Sequence, residues 1–447
     1  MDDIHISREL YHAVERGELP RGFLEESQVE HLLARCPHCR AEAEAYAFGR
    51  RADPSGWSRF LQSLSLLIPR WLAPAARELR NARRDFEEIL SLPLEARAGR
   101  LARAQSRFRS PSLVRFLLDE SRRRLPGQPA EAFHYAELAR TVANRNPAMP
   151  EFYELYVLAT VTMGNACRVR NEAAKADELF ALARQIMDKH GVTDPAVIAR
   201  VDDLVGSRRK DQRRFPEAEK LLKRAAVLYG LARFSEDQAR VLINLADTYC
   251  ARGSLSEAIE TVQSALGHLG PQSDPFLRLC AHYNLAFYLV AAGRLDEAAD
   301  QLEADEPLYR RFPEPWAQLR LLWLQGDIAA GRGDLVTAEQ LYRQTREGFI
   351  AHRMGYDAAM VSLDLAILYL RDERLVDVQQ LAEEMLPIFQ AQNVDREILA
   401  SLRLFQEAGR RQELTIEKVR ELAAFLRRAA TDQLSRPADL PPSHPSR

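Results

Sequence analysis

The string His31-Leu-Leu-Ala-Arg-Cys36-Pro-His-Cys39 holds the densest set of metal-ligating side chains in the chain. Two thiolates at Cys-x2-Cys spacing can grip one tetrahedral Zn²⁺ across a tight turn, and a histidine on the preceding helix can supply a third ligand. His12 or His5 can supply the fourth. On an unbroken helix, residues i and i+5 lie about 140° apart. The helix carrying His31 therefore has to end by Arg35 if His31 and Cys36 are to reach one ion, and Pro37 suits that stop. His38, between the two cysteines, is expected to face solvent. The competing reading is a helical hairpin that keeps Val29, Leu32 and Leu33 as packing residues and holds no metal.

No second constellation of this kind exists. The chain has no glycine-rich phosphate loop, no His-Glu-x-x-His and no Gly-x-Ser-x-Gly elbow. His134, His190, His268, His282 and His352 stand singly on helical segments, where packing or surface roles are expected. Cys167, Cys250 and Cys280 read as small buried hydrophobes. A catalytic function is not expected.

The bulk composition narrows the partners. The formal charge is −2 over 447 residues, so the average surface attracts neither nucleic acid nor an anionic membrane. Five cysteines, an odd number, together with an acidic start (Met1, Asp2, Asp3) that lacks a following apolar run, imply a reducing compartment. Cytoplasm is the expected location. The greasiest stretch, Phe60 to Leu72, is broken by Pro69 and Arg70 and falls short of the ~20 apolar residues a spanning helix needs.

The elements that must carry any site are set by an internal repeat. Gly253-Ser-Leu-Ser-Glu-Ala258 returns as Gly293-Arg-Leu-Asp-Glu-Ala298 and again as Gly333-Asp-Leu-Val-Thr-Ala338, 40 residues apart each time. The register extends to Arg213–Ala218 and Glu373–Val378, and more loosely to Asn171–Ala176 and the region of Ala132, making about seven units between 111 and 391. One column reads Val205, Leu245, Leu285, Gln325, Leu365, and the next reads Gly206, Ala246, Ala286, Gly326, Ala366. A third reads Leu222, Val262, Leu302, Tyr342, Ala382. Apolar spacing between columns follows a helical period, so each unit is a helix pair. The first residue of each repeated phrase should end helix A at positive φ. The small residue of helix A is expected to face the alanine of helix B.

Leu245, Ala246, Tyr249, Gly253, Ala258, Val262 and Ala265 together resemble the tetratricopeptide repeat, over roughly two-thirds of the chain. The resemblance implies an all-α solenoid of helical hairpins that binds a protein or peptide on its concave face. The usual period of that family is shorter than the 40 found here, which implies longer helices. Residues 1–50 resemble the zinc finger of bacterial anti-sigma factors. That resemblance assigns zinc to His12, His31, Cys36 and Cys39 and implies a sigma factor or similar regulator as partner, although His31 and Cys36 stand one residue further apart than in that family.

The expected organisation is a helical module at 1–50, an irregular helical start at 57–110, the repeats at 111–391, capping helices at 392–431 and a proline-rich disordered tail at 432–447. Arg200, Arg240 and Arg320 share one helix-A column, and Asn244 and Asn284 share another. In the resembling peptide-binding repeats, asparagine here holds a partner's backbone amide and a nearby basic residue pairs with a carboxylate. Alternatively, Arg240 and Arg320 pair with Asp247 and Asp327 inside the stack, while the asparagines satisfy groups on neighbouring helices. The functional expectation is a regulatory protein- or peptide-binding scaffold in a bacterial cytoplasm. The alternatives are a peptide-gated transcriptional regulator and a non-catalytic accessory subunit of an enzyme.

Overall fold

Six chain reversals in the repeat region share one backbone signature. Asn171, Arg213, Gly253, Gly293, Gly333 and Glu373 take φ of 63°, 56°, 91°, 75°, 83° and 57°. The amide of the next residue donates five residues back at every one of them, as in Ser254 N to Tyr249 O at 2.9 Å and Arg374 N to Tyr369 O at 2.8 Å. This left-handed closure satisfies the last carbonyls of one helix while turning the chain into the next. The positive φ expected at the first residue of each phrase is present. Glycine is not obligatory there: Arg213 accepts the strained position with its guanidinium 5.0 Å above the Phe215 ring.

The computed structural model describes residues 77–103, 107–125, 127–145, 147, 151–390, 405–406, 408–410 and 413–433. Its described residues are helices and their connections, with no strand among them. They fall into two compact units, 1–116 and 117–447. In the first, helices α1 (77–91) and α2 (Leu94–Arg103) bury Ala82, Phe86, Ile89 and Leu101. Arg107 clamps this unit by pairing with Asp85 and, at 2.7 Å, with Glu88. Helix α3 (Pro111–Arg124) runs across the division into the second unit.

The second unit continues as pairs of an A and a B helix, after α4 (Pro129–Asn144). They are α5 (Phe152–Val169) with α6 (Ala173–His190), α7 (Pro195–Asp211) with α8 (Phe215–Leu231), and α9 (Ser235–Arg252) with α10 (Leu255–Gly267). Then α11 (Pro275–Ala291) is followed by α12 (Leu295–Ala304) and the short α13 (Glu306–Tyr309). The last pairs are α14 (Pro315–Arg332) with α15 (Leu335–Ala351), and α16 (Gly355–Arg371) with α17 (Leu375–Gln390). A helices are 17 or 18 residues long, which accounts for much of the long period. Two start on proline after an aspartate cap: Asp194 accepts from Ala196 N and Val197 N, and Asp274 accepts from Phe276 N. Finally α18 (Ile416–Gln433) packs on α16, placing Val419, Leu422 and Ala423 in the same core as Leu363, Leu365 and Ala366.

Each A helix packs on its own B helix, and successive A helices from α5 to α14 also touch one another. One apolar core runs through α7 to α14, with Leu222, Ala246, Val262, Ala286, Tyr288 and Leu302 among its buried members. A hairpin alone would leave such a face in water, so stacking is what makes each pair stable. The small column of helix A sets the approach, with a correction to its expected partner. A Cβ on Gly206 would lie 2.9 Å from Leu222, and one on Gly326 would lie 2.7 Å from the Tyr342 ring. The neighbour is thus the large residue one turn beyond the helix-B alanine. Side chains on a helix lean toward its amino end, which carries residue 222 or 342 back over that alanine.

Candidate partner-binding face

The proposed zinc ligands His12, His31, Cys36 and Cys39, like His5, lie outside the described residues. Among the described residues, no group of three or more His, Cys, Asp or Glu side chains could hold a metal ion. None of the described helices is long and apolar enough to cross a membrane. Phe60 to Leu72 also lies outside the described residues.

The five groove residues stand on α7, α9, α11 and α14. Arg200 Nη1 donates to Asp203 Oδ2 at 3.1 Å, and Asn244 Nδ2 reaches back from α9 to the other oxygen of Asp203 at 3.0 Å. One repeat later, Asn284 Nδ2 reaches Asp247 Oδ1 at 3.4 Å, and Lys210 Nζ stands 3.5 Å from Asp247 Oδ2. Each asparagine therefore ties its A helix to the preceding one. Arg240 Nη1 donates to Asp237 Oδ1 at 2.6 Å, and Arg320 Nη2 donates to Asp357 Oδ1 at 3.1 Å.

The two arginine pairings differ from the ones weighed on the sequence. Asp237 is one turn from Arg240 on the same helix face, whereas Asp247 is two turns away and is engaged by Asn284, Tyr288 and Lys210. Asp327 accepts from Tyr342 Oη at 2.7 Å, and Arg320 turns instead to the following repeat. Arg320 and Asp357 have side chains only 14% and 9% exposed, so this pair is held out of water.

Sequence reasoning missed a third guanidinium near the first two. Arg122, solvent-accessible near the end of α3 but with protein around its head group, is held below the ordinary arginine value, first by the like charge of Arg200, then by that partial desolvation and by Arg240. Burial also works against the charge on Arg200, but Tyr229 and the carboxylates Asp203 and Asp237 outweigh it and raise its pKa. The A-helix face thus gathers guanidinium groups from α3, α7 and α9 together with the carboxylates Asp119, Asp203 and Asp237, and Arg122 is the most exposed of the three arginines. Its Arg122-Arg-Arg run reads in sequence as a solvated helix end, and it lies off the 40-residue column, so no local signal marked it.

The described cysteines and two of the histidines have the following surroundings. Cys167 and Cys280 are buried and Cys250 is half-buried. Burial, followed by the Glu172 carboxylate, pushes the Cys167 thiol up to about 11, which keeps it protonated and a poor nucleophile. His282 Nδ1 lies 2.8 Å from Asp305, and His190 stacks on Tyr153 at 3.8 Å.

No family model and no curated protein matches the chain. Solved structures do. A Rap protein crystallised in complex with competence and sporulation factor superposes with a TM-score of 0.54 at 12% identity, covering 71% of this chain and 87% of that one. The fold is a tetratricopeptide-like α-solenoid. Weaker similarity extends to the near-identical tetratricopeptide-like repeats of a putative kinesin light chain from Podospora anserina, with a TM-score of 0.35, 19% identity and coverage of 46% and 98%. PilF of Pseudomonas aeruginosa gives a TM-score of 0.34 at 19% identity, with coverage of 51% and 92%.

Proposed function

We propose that the A-helix face of the second unit holds an extended peptide or a peptide-like segment of a protein partner, and that the protein acts as a regulatory, non-catalytic scaffold in a bacterial cytoplasm. The observation that carries this reading is the gathering of Arg122, Arg200 and Arg240 beside the carboxamide of Asn244 on one face of three A-side helices. Guanidinium groups supply directional donors for carboxylate oxygens, and a carboxamide offers a donor and an acceptor to a peptide bond. The similar Rap protein was crystallised in complex with competence and sporulation factor, which supports a binding use of the fold.

The test is binding of the full-length protein to an array of random-sequence peptides. Wild-type protein should select a subset of acidic or carboxylate-terminated peptides. Arg122→Ala combined with Arg240→Ala should lose that subset by tenfold or more, each charge-assisted bond being worth about 1.5–3 kcal/mol. Equal capture by the double variant would remove the face from consideration.

The amino-terminal segment supports a separate proposal on its spacing alone: His12, His31, Cys36 and Cys39 hold one zinc ion, in a module that engages a sigma factor or similar regulator. Elemental analysis of the purified full chain decides the metal. Less than stoichiometric zinc, with no loss on Cys36→Ser, would sink it.

A further inference from the structure

Helix α1 divides its arginines into two groups. Arg83 donates to Glu87 at 3.3 Å, one turn along. The other three, Arg77, Arg80 and Arg84, are exposed, and among the described residues none of them has a hydrogen bond or an ion pair. At 3.6 residues per turn they fall within an arc of about 60°. That arc lies opposite the face that buries Ala82, Phe86 and Ile89. Nothing in the helix neutralises it, because all four carboxylates of α1 are engaged elsewhere. Glu78 accepts from Ser110 and from Ser112 Oγ at 2.6 Å, and Glu87 is taken by Arg83. Asp85 pairs with Arg107, and Glu88 pairs with Arg100 and Arg107, each at 2.7 Å. Like charges three and four residues apart repel on a helix, so the stripe works against α1 unless an anion covers it. The surrounding sequence has the same bias: ten arginines stand against five carboxylates between residues 77 and 116, whereas the whole chain carries −2. A local cationic excess of this kind is an electrostatic footprint for an anionic partner.

The neighbours of the stripe decide which anion. The same arc otherwise carries Asn81 and Ser91, both exposed and polar. Leu79, the exposed large hydrophobic of α1, stands about 130° round the helix from it. A protein partner needs an apolar or aromatic anchor at the centre of its contact. A lipid surface needs apolar residues that insert, or a cluster of about 4–8 basic ones. The stripe offers neither. A sugar-phosphate backbone needs only spaced cations, and a guanidinium grips phosphate oxygens with two parallel N–H groups. The three Cα atoms span about 10 Å at 1.5 Å per residue, and one strand of a duplex carries a phosphate every ~3.4 Å of its axis. Each arginine can therefore take its own phosphate. We propose that Arg77, Arg80 and Arg84 bind the sugar-phosphate backbone of a nucleic acid, with the Asn81 carboxamide as a neutral donor beside them and no reading of base sequence. The near-neutral chain supplies no long-range attraction, so the contact is short-ranged and salt-sensitive. It is independent of the peptide-binding face, which belongs to the second unit.

The probes are a fluorescein-labelled random-sequence DNA duplex of about 20 base pairs and a single-stranded RNA of the same length, titrated with full-length protein between 50 and 200 mM salt. Anisotropy should rise along a saturable curve with a Kd in the micromolar range at the lowest salt. Binding to either probe supports the proposal, and the tighter arm names the form. Arg77→Gln, Arg80→Gln and Arg84→Gln together should weaken binding at least tenfold. The slope of log K against log salt should flatten by about 2–3, since each phosphate contact adds ~0.7–0.9. The melting temperature should not fall, because these side chains have no partner among the described residues. The triple lysine variant should keep most of the slope, which counts charges. A charge-matched control, Arg294→Gln with Arg310→Gln and Arg332→Gln, removes three exposed cations from the second unit and should change binding less than twofold. No saturable change with either probe would overturn the proposal. So would wild-type affinity in the triple glutamine variant, an equal loss in the control, or tighter binding to phosphatidylserine–phosphatidylcholine vesicles than to both nucleic acids.

Discussion

The region from α7 to α9 and the region from α11 to α14 are built on the same 40-residue register, yet they end in opposite polar states. In the first, Asp203 takes Arg200 from its own helix and Asn244 from the next, and both carboxylate oxygens are used. In the second, the cross-repeat bond of Arg320 uses one nitrogen and leaves Nε beside an unpaired Tyr309 hydroxyl. A repeat can therefore close its polar network internally or leave buried donors without a protein acceptor. The choice depends on which carboxylates the neighbouring repeat happens to offer.

The strongest way to break this contrast is Asp203→Ala. It strands the guanidinium of Arg200, whose side chain is 12% exposed, and the Asn244 amide together. A loss of about 3–5 kcal/mol in urea unfolding is expected, as for any buried pair deprived of one member. A cost below 1 kcal/mol would mean that the network does not hold α7 to α9.

The next effect compares the two small-residue contacts. Gly326→Ala drives a methyl into the Tyr342 ring, which is pinned by its bond to Asp327 at 2.7 Å. It should cost about 1–3 kcal/mol. Gly206→Ala meets Leu222, an unpinned aliphatic side chain that can change rotamer, and should cost less by the same measurement. Equal losses would show that ring anchoring is irrelevant.

Smaller still is the contrast at the turns. Arg213 in the first region and Gly293 in the second take the same left-handed conformation. Gly293→Ala should lower stability by about 1 kcal/mol, and Arg213→Gly should raise it by less than about 1 kcal/mol, since glycine also gains unfolded-state entropy. Urea midpoints of the two variants should move in opposite directions.

The weakest effect is acid sensitivity in the first region. The Lys223 ammonium, 2.7 Å away, leads the contacts that hold Glu219 below the ordinary carboxylate range against its partial burial. A carboxyl whose folded pKa is depressed contributes stability above its unfolded pKa of about 4.3, and that contribution is lost as pH falls through the folded value. Glu219→Gln should lower stability slightly at neutral pH, where the contribution is fully present, and flatten the profile as pH falls below about 4.3. An unaltered acid limb would show that the contact contributes nothing.

Much of the architecture was legible in the residues. The spacing of Gly253, Gly293 and Gly333 located the turns, and the periodic apolar columns defined the A and B helices. Even Arg213 and Glu373 were identified by register, against their own preference for negative φ. The candidate site was legible only in part. Arg200, Arg240, Asn244, Asn284 and Arg320 stood out as columns, but their partners did not, because one carboxylate in reach on paper had been taken by another donor in space.

The sequence alone decided that helical hairpins would stack in order, since each pair carries an apolar face that only its neighbour can cover. The close approach of helices followed from Gly206 and Gly326, small residues at a fixed step in the register. Tertiary structure decided the rest. It brought Arg122 beside Arg200 and Arg240, sent Arg320 to Asp357, and left the Tyr309 hydroxyl buried without a hydrogen-bond partner among the described residues. Periodicity is a property of one chain direction, whereas hydrogen bonds and charge depend on distances between segments that the chain direction does not encode.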